Sequence, residues 1–415
     1  MKNNSFTEIY MMQSTSIAKA VKLLVATVAV GGFIGNALAA EGTTRVIVKF
    51  KEGSVNAINM KSAVAAAKGT VKHEIFGTNA MAIEVPLSAL KGLKNNPNVE
   101  YVEEDQKRYP FALTSPSTGT PYLLGQSVPY GIKQVQADLL PDTNAGNRRV
   151  CIIDSGIDRA HEDLVGNSAN MTGQYDSGTG NWYTDQNSHG THVAGTIAAV
   201  NNSGVGVVGV NSNRRLKLHI VKVFGASGWA YSSTLSSAAN QCAAAGANVI
   251  SMSLGGSGSS TTESNTFASL ASRGILSIAA AGNAGNTAIS YPAGYSAVMM
   301  VGAVDEYKQW ASFSQYNSKM EIAGPGVSVL STVPLAVNGT KYAYFNGTSM
   351  ATPHVAGVAA LVWSYYPTCT GSQIRTSLTK SALDLGPVGR DTKFGFGLVQ
   401  ARRAYDRIRT YGCGA

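Results

Sequence analysis

Hydrophobic and polar positions follow two different patterns on either side of residue 127. In the earlier part, Thr44-Arg45-Val46-Ile47-Val48-Lys49-Phe50 reads as an alternating strand, and an alanine-rich helical stretch comes after it. A second strand is expected over residues 80–85, a helix over 87–94 and a further strand over 99–105. This β-α-β, α-β pattern predicts a small α+β domain. Residues 111–126, rich in Pro, Ser, Thr and Gly, read as an exposed linker.

Beyond the linker the apolar residues run together instead of alternating, over 150–153, 216–223, 248–254, 275–281 and 298–304. Continuous runs suit strands covered on both faces, so a parallel sheet flanked by helices is expected. In open sheets of this kind ligands meet the carboxyl ends of the strands, which makes the run endings the place to look for chemistry.

Composition narrows the class without naming it. With 44% hydrophobic and 14% charged residues and 45 glycines in 415, the chain is neither disordered nor fibrous. The net charge of +9 raises nucleic acid as a partner, but residues 1–110 hold 13 basic and 9 acidic side chains, leaving 20 and 15 in the rest. No dense basic run interleaved with aromatics is present, so nucleic-acid binding is not expected. Lys19 and Lys22 precede an apolar stretch over 23–38 that ends Ala37-Leu38-Ala39-Ala40, the pattern of a signal peptide. The stretch is short and glycine-interrupted, which argues against a membrane span and for secretion. Met1 to Tyr10 make a long prelude, and Met11 or Met12 is an alternative start.

Cys151, Cys242, Cys369 and Cys413 all lie beyond the signal, an even count that points to two disulfides in an exported protein. Three pairings are open at this stage. No CxxC spacing supports zinc.

Four run endings or helix starts bear candidate chemistry. Asp154 ends the first run, where an aspartate also serves as a cap or turn residue. In Ser188-His189-Gly190-Thr191-His192, Ser188 reads as the cap of a helix, with His189 in its first turn. The His189 and His192 spacing lacks the intervening glutamate and third ligand of a metal site. Ser349 opens a helix that continues through Val355, Val358 and Val362. Its plain reading is a cap; its chemical reading is a nucleophile whose own N–H helps form an anion site. Asn283 ends another buried run, where its amide either adopts a turn or donates to an oxyanion.

Taken together, aspartate, histidine and serine occur in the chain order of the subtilisin triad. Asp154-Ser155-Gly156, His189-Gly190-Thr191-His192-Val193-Ala194-Gly195-Thr196 and the segment from Gly347 through Ser349 to Gly357 resemble the three signatures of the subtilisin-like peptidase family. The resemblance spans roughly residues 127–407, and residues 44–109 resemble that family's inhibitory propeptide.

It implies an α/β fold, a three-layer arrangement of parallel sheet with helices on both faces, preceded by the small α+β propeptide domain. The implied division is a signal over 1–40, a propeptide over 41–110, a processing region over 111–126 and a peptidase over 127–415. Ser349 would attack a peptide carbonyl, His189 would move the proton, Asp154 would orient the imidazole and Asn283 would hold the oxyanion. Gly228, Trp229 and Ala230 on one side, and Ser253, Leu254 and Gly255 on the other, would pair with an extended substrate. With no evident buried charge in the pocket, broad cleavage after large apolar residues is expected.

The resemblance further implies a structural calcium ion on Gln126, Asp163 and Asn202, with backbone oxygens from the Val200 to Gly206 loop, although the stretch 201–207 is one residue longer than the family's usual version. It implies the pairings Cys151 with Cys242 and Cys369 with Cys413. No catalytic cofactor, stable membrane association or partner beyond protein substrates and the chain's own propeptide is expected, and the protein is expected to be a monomer. A catalytically dead binding protein would keep the fold without turnover. An ester-cleaving α/β-hydrolase would need a GxSxG elbow and the order serine, aspartate, histidine, neither of which is present.

Overall fold

The computed structural model describes residues 42–53, 56–111, 113–114, 125–175, 178–202 and 204–415. The expected signal peptide and most of the processing region lie outside the described residues. No helix among the described residues is long and apolar enough to cross a membrane.

The amino-terminal part is a four-stranded antiparallel sheet. Thr43–Phe50 lies between Ala80–Pro86 and Val99–Glu104, and Thr70–Glu74 forms the edge beside Ala80–Pro86. One face closes on the helix Ala57–Ala66 through Val46, Val48, Phe50, Met60, Val64, Met81 and Ile83. The edge strand was missing from the expected order. Its sequence, Thr-Val-Lys-His-Glu, is mostly polar and never fully buried, so it presents no apolar run to read.

The larger part is built on seven parallel strands. Across the sheet they run Ile322–Pro325, Val298–Val304, Leu276–Ala280, Val249–Met252, Arg149–Asp154, Lys217–Lys222 and Met171–Tyr175. Alternate residues serve opposite cores. Val150 and Ile152 face the helices His189–Ala198 and Thr348–Tyr365, whereas Cys151 and Ile153 face Ser232–Ala244 and Thr261–Ser272. Burial on both faces explains the continuous apolar runs. The edge strand Met171–Tyr175 was unreadable for the same reason as the edge of the smaller sheet.

The chain enters the larger sheet at Arg149–Asp154, moves outward to Met171–Tyr175, returns through Lys217–Lys222, and then builds the other side from Val249–Met252. The strand order reverses at the first strand, so a crevice opens at its carboxyl end beside Asp154. Cys151 is bonded to Cys242, tying that strand to the helix Ser232–Ala244, and Cys369 is bonded to Cys413, closing the final helical segment. These are the pairings the resemblance implied. The second bridge closes a separation of 44 residues, a constraint of about 4 kcal/mol on the unfolded chain in the entropic model.

The free face of the smaller sheet lies on the helices Ser232–Ala244 and Thr261–Ser272. The Asn240 side-chain amide donates to the Phe76 carbonyl (2.8 Å), and the Tyr101 and Thr262 hydroxyls lie 3.2 Å apart. Two carboxylates fasten the helix ends. Glu103 accepts from the N–H groups of Thr261 (2.7 Å) and Thr262 (2.9 Å), and Asp105 from the N–H of Ser233 (3.0 Å) and its hydroxyl (2.7 Å). Each satisfies orphan amides at the positive end of a helix dipole that belongs to the other domain.

Candidate active site

Asp154 is fully buried at the end of its strand, and both its oxygens lie close to Nδ1 of His189, at 2.7 and 2.9 Å. The Ser155 N–H donates to Oδ1 (2.7 Å), fixing the carboxylate from behind. Donation from Nδ1 leaves Nε2 of the neutral ring as the basic nitrogen. That nitrogen is buried and has no hydrogen-bond partner among the described residues.

The helix bearing His189 is capped otherwise than expected. Ser188 stands at the cap position with φ +75° and makes no capping bond with its side chain. Asp185 does this work: Oδ1 accepts from the N–H groups of Asn187 and Ser188, and Oδ2 from the N–H and hydroxyl of Thr191. Burial pushes the Asp185 carboxyl up, and these donors pull it back. The Nε2 of His192 lies 2.9 Å from the Val329 carbonyl. His192 stacks on Phe345 (4.4 Å between ring centres) and is a buried structural residue, its pKa lowered by burial to about 3.

Ser349 lies in the first turn of the helix Thr348–Tyr365 and is fully buried beneath the tail of the smaller domain. Its hydroxyl donates to the Ser253 carbonyl (2.8 Å). The Phe111 carbonyl accepts from the Asn283 side-chain amide (2.7 Å) and the Ser349 N–H (3.3 Å). A carbonyl held by two convergent donors beside a serine is the ground state from which an oxyanion develops. Thr348 aims the amide: its N–H and hydroxyl both lie 2.9 Å from Asn283 Oδ1, which turns Nδ2 toward Phe111.

The tail reaches this point as a strand. Lys107–Pro110 is antiparallel to Ala230–Tyr231 on one side and to Leu254–Gly255 on the other. The pairs are Arg108 with Ala230, Lys107 with Tyr231, Pro110 with Leu254 and Tyr109 with Gly255. The Phe111 N–H continues the ladder to the Ser253 carbonyl (3.2 Å). A Cβ on Gly255 would come within 2.5 Å of the Phe111 ring, so glycine is what lets the ring lie against this strand.

Of the residues expected to pair with substrate, Ala230, Ser253, Leu254 and Gly255 pair with this tail. Trp229 lies under Lys107, whose Nζ is 4.7 Å from the ring centre, and Gly228 falls in the preceding turn. Leu113–Thr114, beyond the serine, pairs with Asn346 and Phe345. The segment expected as an exposed linker therefore begins at Phe111 within the cleft. Thr348, Asp185 and this second pairing strand went unread in the sequence, although Thr348 lies beside Ser349 in its motif.

Gln126, Asp163 and Asn202 meet around one loop. The Gln126 amide donates to the Val200 and Val207 carbonyls (2.8 and 3.1 Å), while Asp163 accepts from the Asn202 amide (2.8 Å) and the Val207 N–H (2.7 Å). Burial pushes the Asp163 carboxyl up, opposed by those donors. Among the described residues no three His, Cys, Asp or Glu side chains form a metal cluster. One carboxylate, two amide side chains and two main-chain carbonyls are nevertheless a hard-oxygen set that fits calcium, once the Gln126 and Asn202 amides both present their oxygens rather than their nitrogens.

Comparison with known proteins places both parts. Residues 146–397 match the subtilase family of peptidases, and residues 43–105 match the fervidolysin N-terminal prodomain. Subtilisin amylosacchariticus of Bacillus subtilis subsp. amylosacchariticus is 39% identical over 370 residues, covering 87% of this chain and 90% of its own. The psychrophilic subtilisin-like protease Apa1 of Pseudoalteromonas sp. AS-11 superposes with a TM-score of 0.66 at 36% identity, covering 70% of this chain and 100% of that one. Fervidolysin of Fervidobacterium pennivorans gives 0.72 at 27% identity, covering 88% and 61%. The chain belongs to the subtilase family, and is a serine endopeptidase with an amino-terminal propeptide.

Proposed function

We propose that the chain is an exported precursor that first cleaves its own Phe111–Ala112 bond and then hydrolyses other proteins, using Asp154, His189 and Ser349 as the triad. The observation that carries this reading is the Phe111 carbonyl held between Asn283 Nδ2 and the Ser349 N–H, beside an imidazole already bonded to Asp154. For attack, the Ser349 hydroxyl leaves the Ser253 carbonyl and gives its proton to His189 Nε2 as its oxygen bonds to the carbonyl carbon. Asn283 and the Ser349 N–H hold the oxyanion. On collapse, His189 returns the proton to the departing amine of Ala112, and water then releases the acyl group from Ser349 by the same steps. The Phe111 ring against Gly255 supports a preference for large apolar residues before the cleaved bond, and the pattern over residues 19–40 supports export.

Reaction with a fluorophosphonate probe tests the assignment. Label on Ser349 of the processed protein, abolished by Ser349→Ala, is expected; a correctly processed but unlabelled protein would favour a binding role without turnover. Calcium bound at Gln126, Asp163 and Asn202 would brace the loop against the start of the mature chain, as a structural ion without a part in the chemistry. Chelation with EDTA is expected to lower the unfolding temperature, with calcium restoring it; indifference to EDTA would remove the ion from the account.

A further inference from the structure

Counting back from the Phe111 carbonyl, Arg108 is the fourth residue on the acyl side. Its side chain is fully buried, as is that of Glu263, the residue it meets. Nε donates to Oε1 (2.9 Å) and Nη2 to Oε2 (2.6 Å), a two-pronged pair. The remaining donors are also placed: Nη2 to the Gly258 carbonyl (3.0 Å), Nη1 to the Ser257 carbonyl (3.3 Å) and to the carbonyl of Lys107 (2.9 Å). All five N–H groups of the guanidinium thus have an acceptor.

Three of these contacts come from the propeptide's own geometry or from main chain, but the carboxylate belongs to the peptidase. Glu263 lies in the first turn of the helix Thr261–Ser272, where a glutamate ordinarily turns back to the cap. Here the Ser260 N–H is taken by the Tyr295 hydroxyl (2.7 Å), and that hydroxyl lies 2.9 Å from Glu263 Oε2. Glu263 is therefore turned inward and held toward the substrate strand. Close approach is permitted by Gly256, where a Cβ would fall 2.4 Å from the Lys107 carbonyl and 3.4 Å from Arg108 Nη1. Once the propeptide leaves, the pocket keeps its carboxylate and loses its cation. The carboxylate then keeps the Tyr295 hydroxyl but no cation, so a substrate that replaces the guanidinium gains more than one that does not.

We infer that Glu263 makes the fourth acyl-side subsite an arginine-selecting pocket, so that the processed enzyme prefers peptides with arginine three residues before a large apolar residue at the cleaved bond. This rests on the peptidase reading above and specifies its substrates. Lysine, with three donors on a compact head, cannot fill the fork that Glu263, Gly258 and Ser257 present.

The test uses enzyme matured from the full-length chain, its concentration set by active-site titration, and acetyl-Xaa-Tyr-Pro-Phe-p-nitroanilide with arginine, lysine, citrulline, leucine or alanine at Xaa. Arginine is expected to exceed alanine by about 100-fold in kcat/KM, with lysine between them and citrulline, which keeps the shape without the charge, near alanine. Glu263→Gln should reduce the arginine advantage to a few-fold, and Glu263→Leu should reverse the order of arginine and leucine. Arginine and alanine substrates cleaved within twofold of each other by the unsubstituted enzyme would overturn the inference while leaving the peptidase reading intact. No turnover of any substrate in the series would overturn both. The unsubstituted enzyme decides the question even where a Glu263 variant fails to fold.

Discussion

The propeptide holds the peptidase with two surfaces that work by different physics. Its sheet lies on two helices and fastens their amino ends through Glu103 and Asp105, contacts made to main-chain amides and hydroxyls rather than to Asp154, His189, Ser349 or the Glu263 carboxylate. Its tail, residues 107–111, lies as an extended peptide in the cleft: main chain pairs on both sides, Arg108 meets the Glu263 carboxylate, and the Phe111 carbonyl sits between Asn283 Nδ2 and the Ser349 N–H. The sheet therefore supplies attachment and the tail supplies alignment. Changes to one should leave the signature of the other.

The largest expected effect lies at the end of the tail. Ser349→Ala should slow conversion of the precursor by about a millionfold, a magnitude taken over from subtilisin itself, and intact mass should then show propeptide and peptidase still joined. Asn283→Ala should slow conversion by about 100- to 1000-fold, again the value known for subtilisin, without loosening the sheet; the rate of precursor loss on a gel measures it. Arg108→Ala should slow conversion by about 10- to 100-fold, because it leaves the buried Glu263 carboxylate unpaired. Glu103→Ala and Asp105→Ala, introduced into a Ser349→Ala precursor, should each lower its unfolding free energy by about 1 kcal/mol, read by denaturant titration. The enzyme matured from chains carrying either cap substitution should cleave peptides normally, since neither residue remains in it. A cap substitution that altered peptide cleavage, or an Arg108 substitution that left conversion unchanged, would break the distinction between the two surfaces.

The three residues proposed as the triad were legible because each sits at a place the polypeptide marks. Asp154 ends an apolar run, while His189 and Ser349 lie where helices begin, within long motifs. The seven-stranded sheet was legible in its interior, where both faces are covered, and not at Met171–Tyr175. The partner that positions His189 from below, Asp185, was hidden because a side chain three residues upstream of the expected cap cannot be told from a turn aspartate. Glu263 was hidden more deeply. A glutamate three residues after Ser260 has the spacing of a capping pair, and only the Tyr295 hydroxyl, thirty-odd residues further along the chain, diverts it into the cleft. The tail escaped notice because a substrate-like strand contributed by the chain to its own active site has no periodicity of its own.

The central claim is that the bond after Phe111 is cut by the Ser349 of the same molecule. Mass spectrometry of the first propeptide fragment released during conversion of the full-length precursor, followed over a range of protein concentrations, tests it most directly. A fragment ending at Phe111, appearing at a rate independent of concentration and absent from Ser349→Ala, is the predicted result. A first cut elsewhere, or the same cut in Ser349→Ala prepared without other proteases, would contradict it.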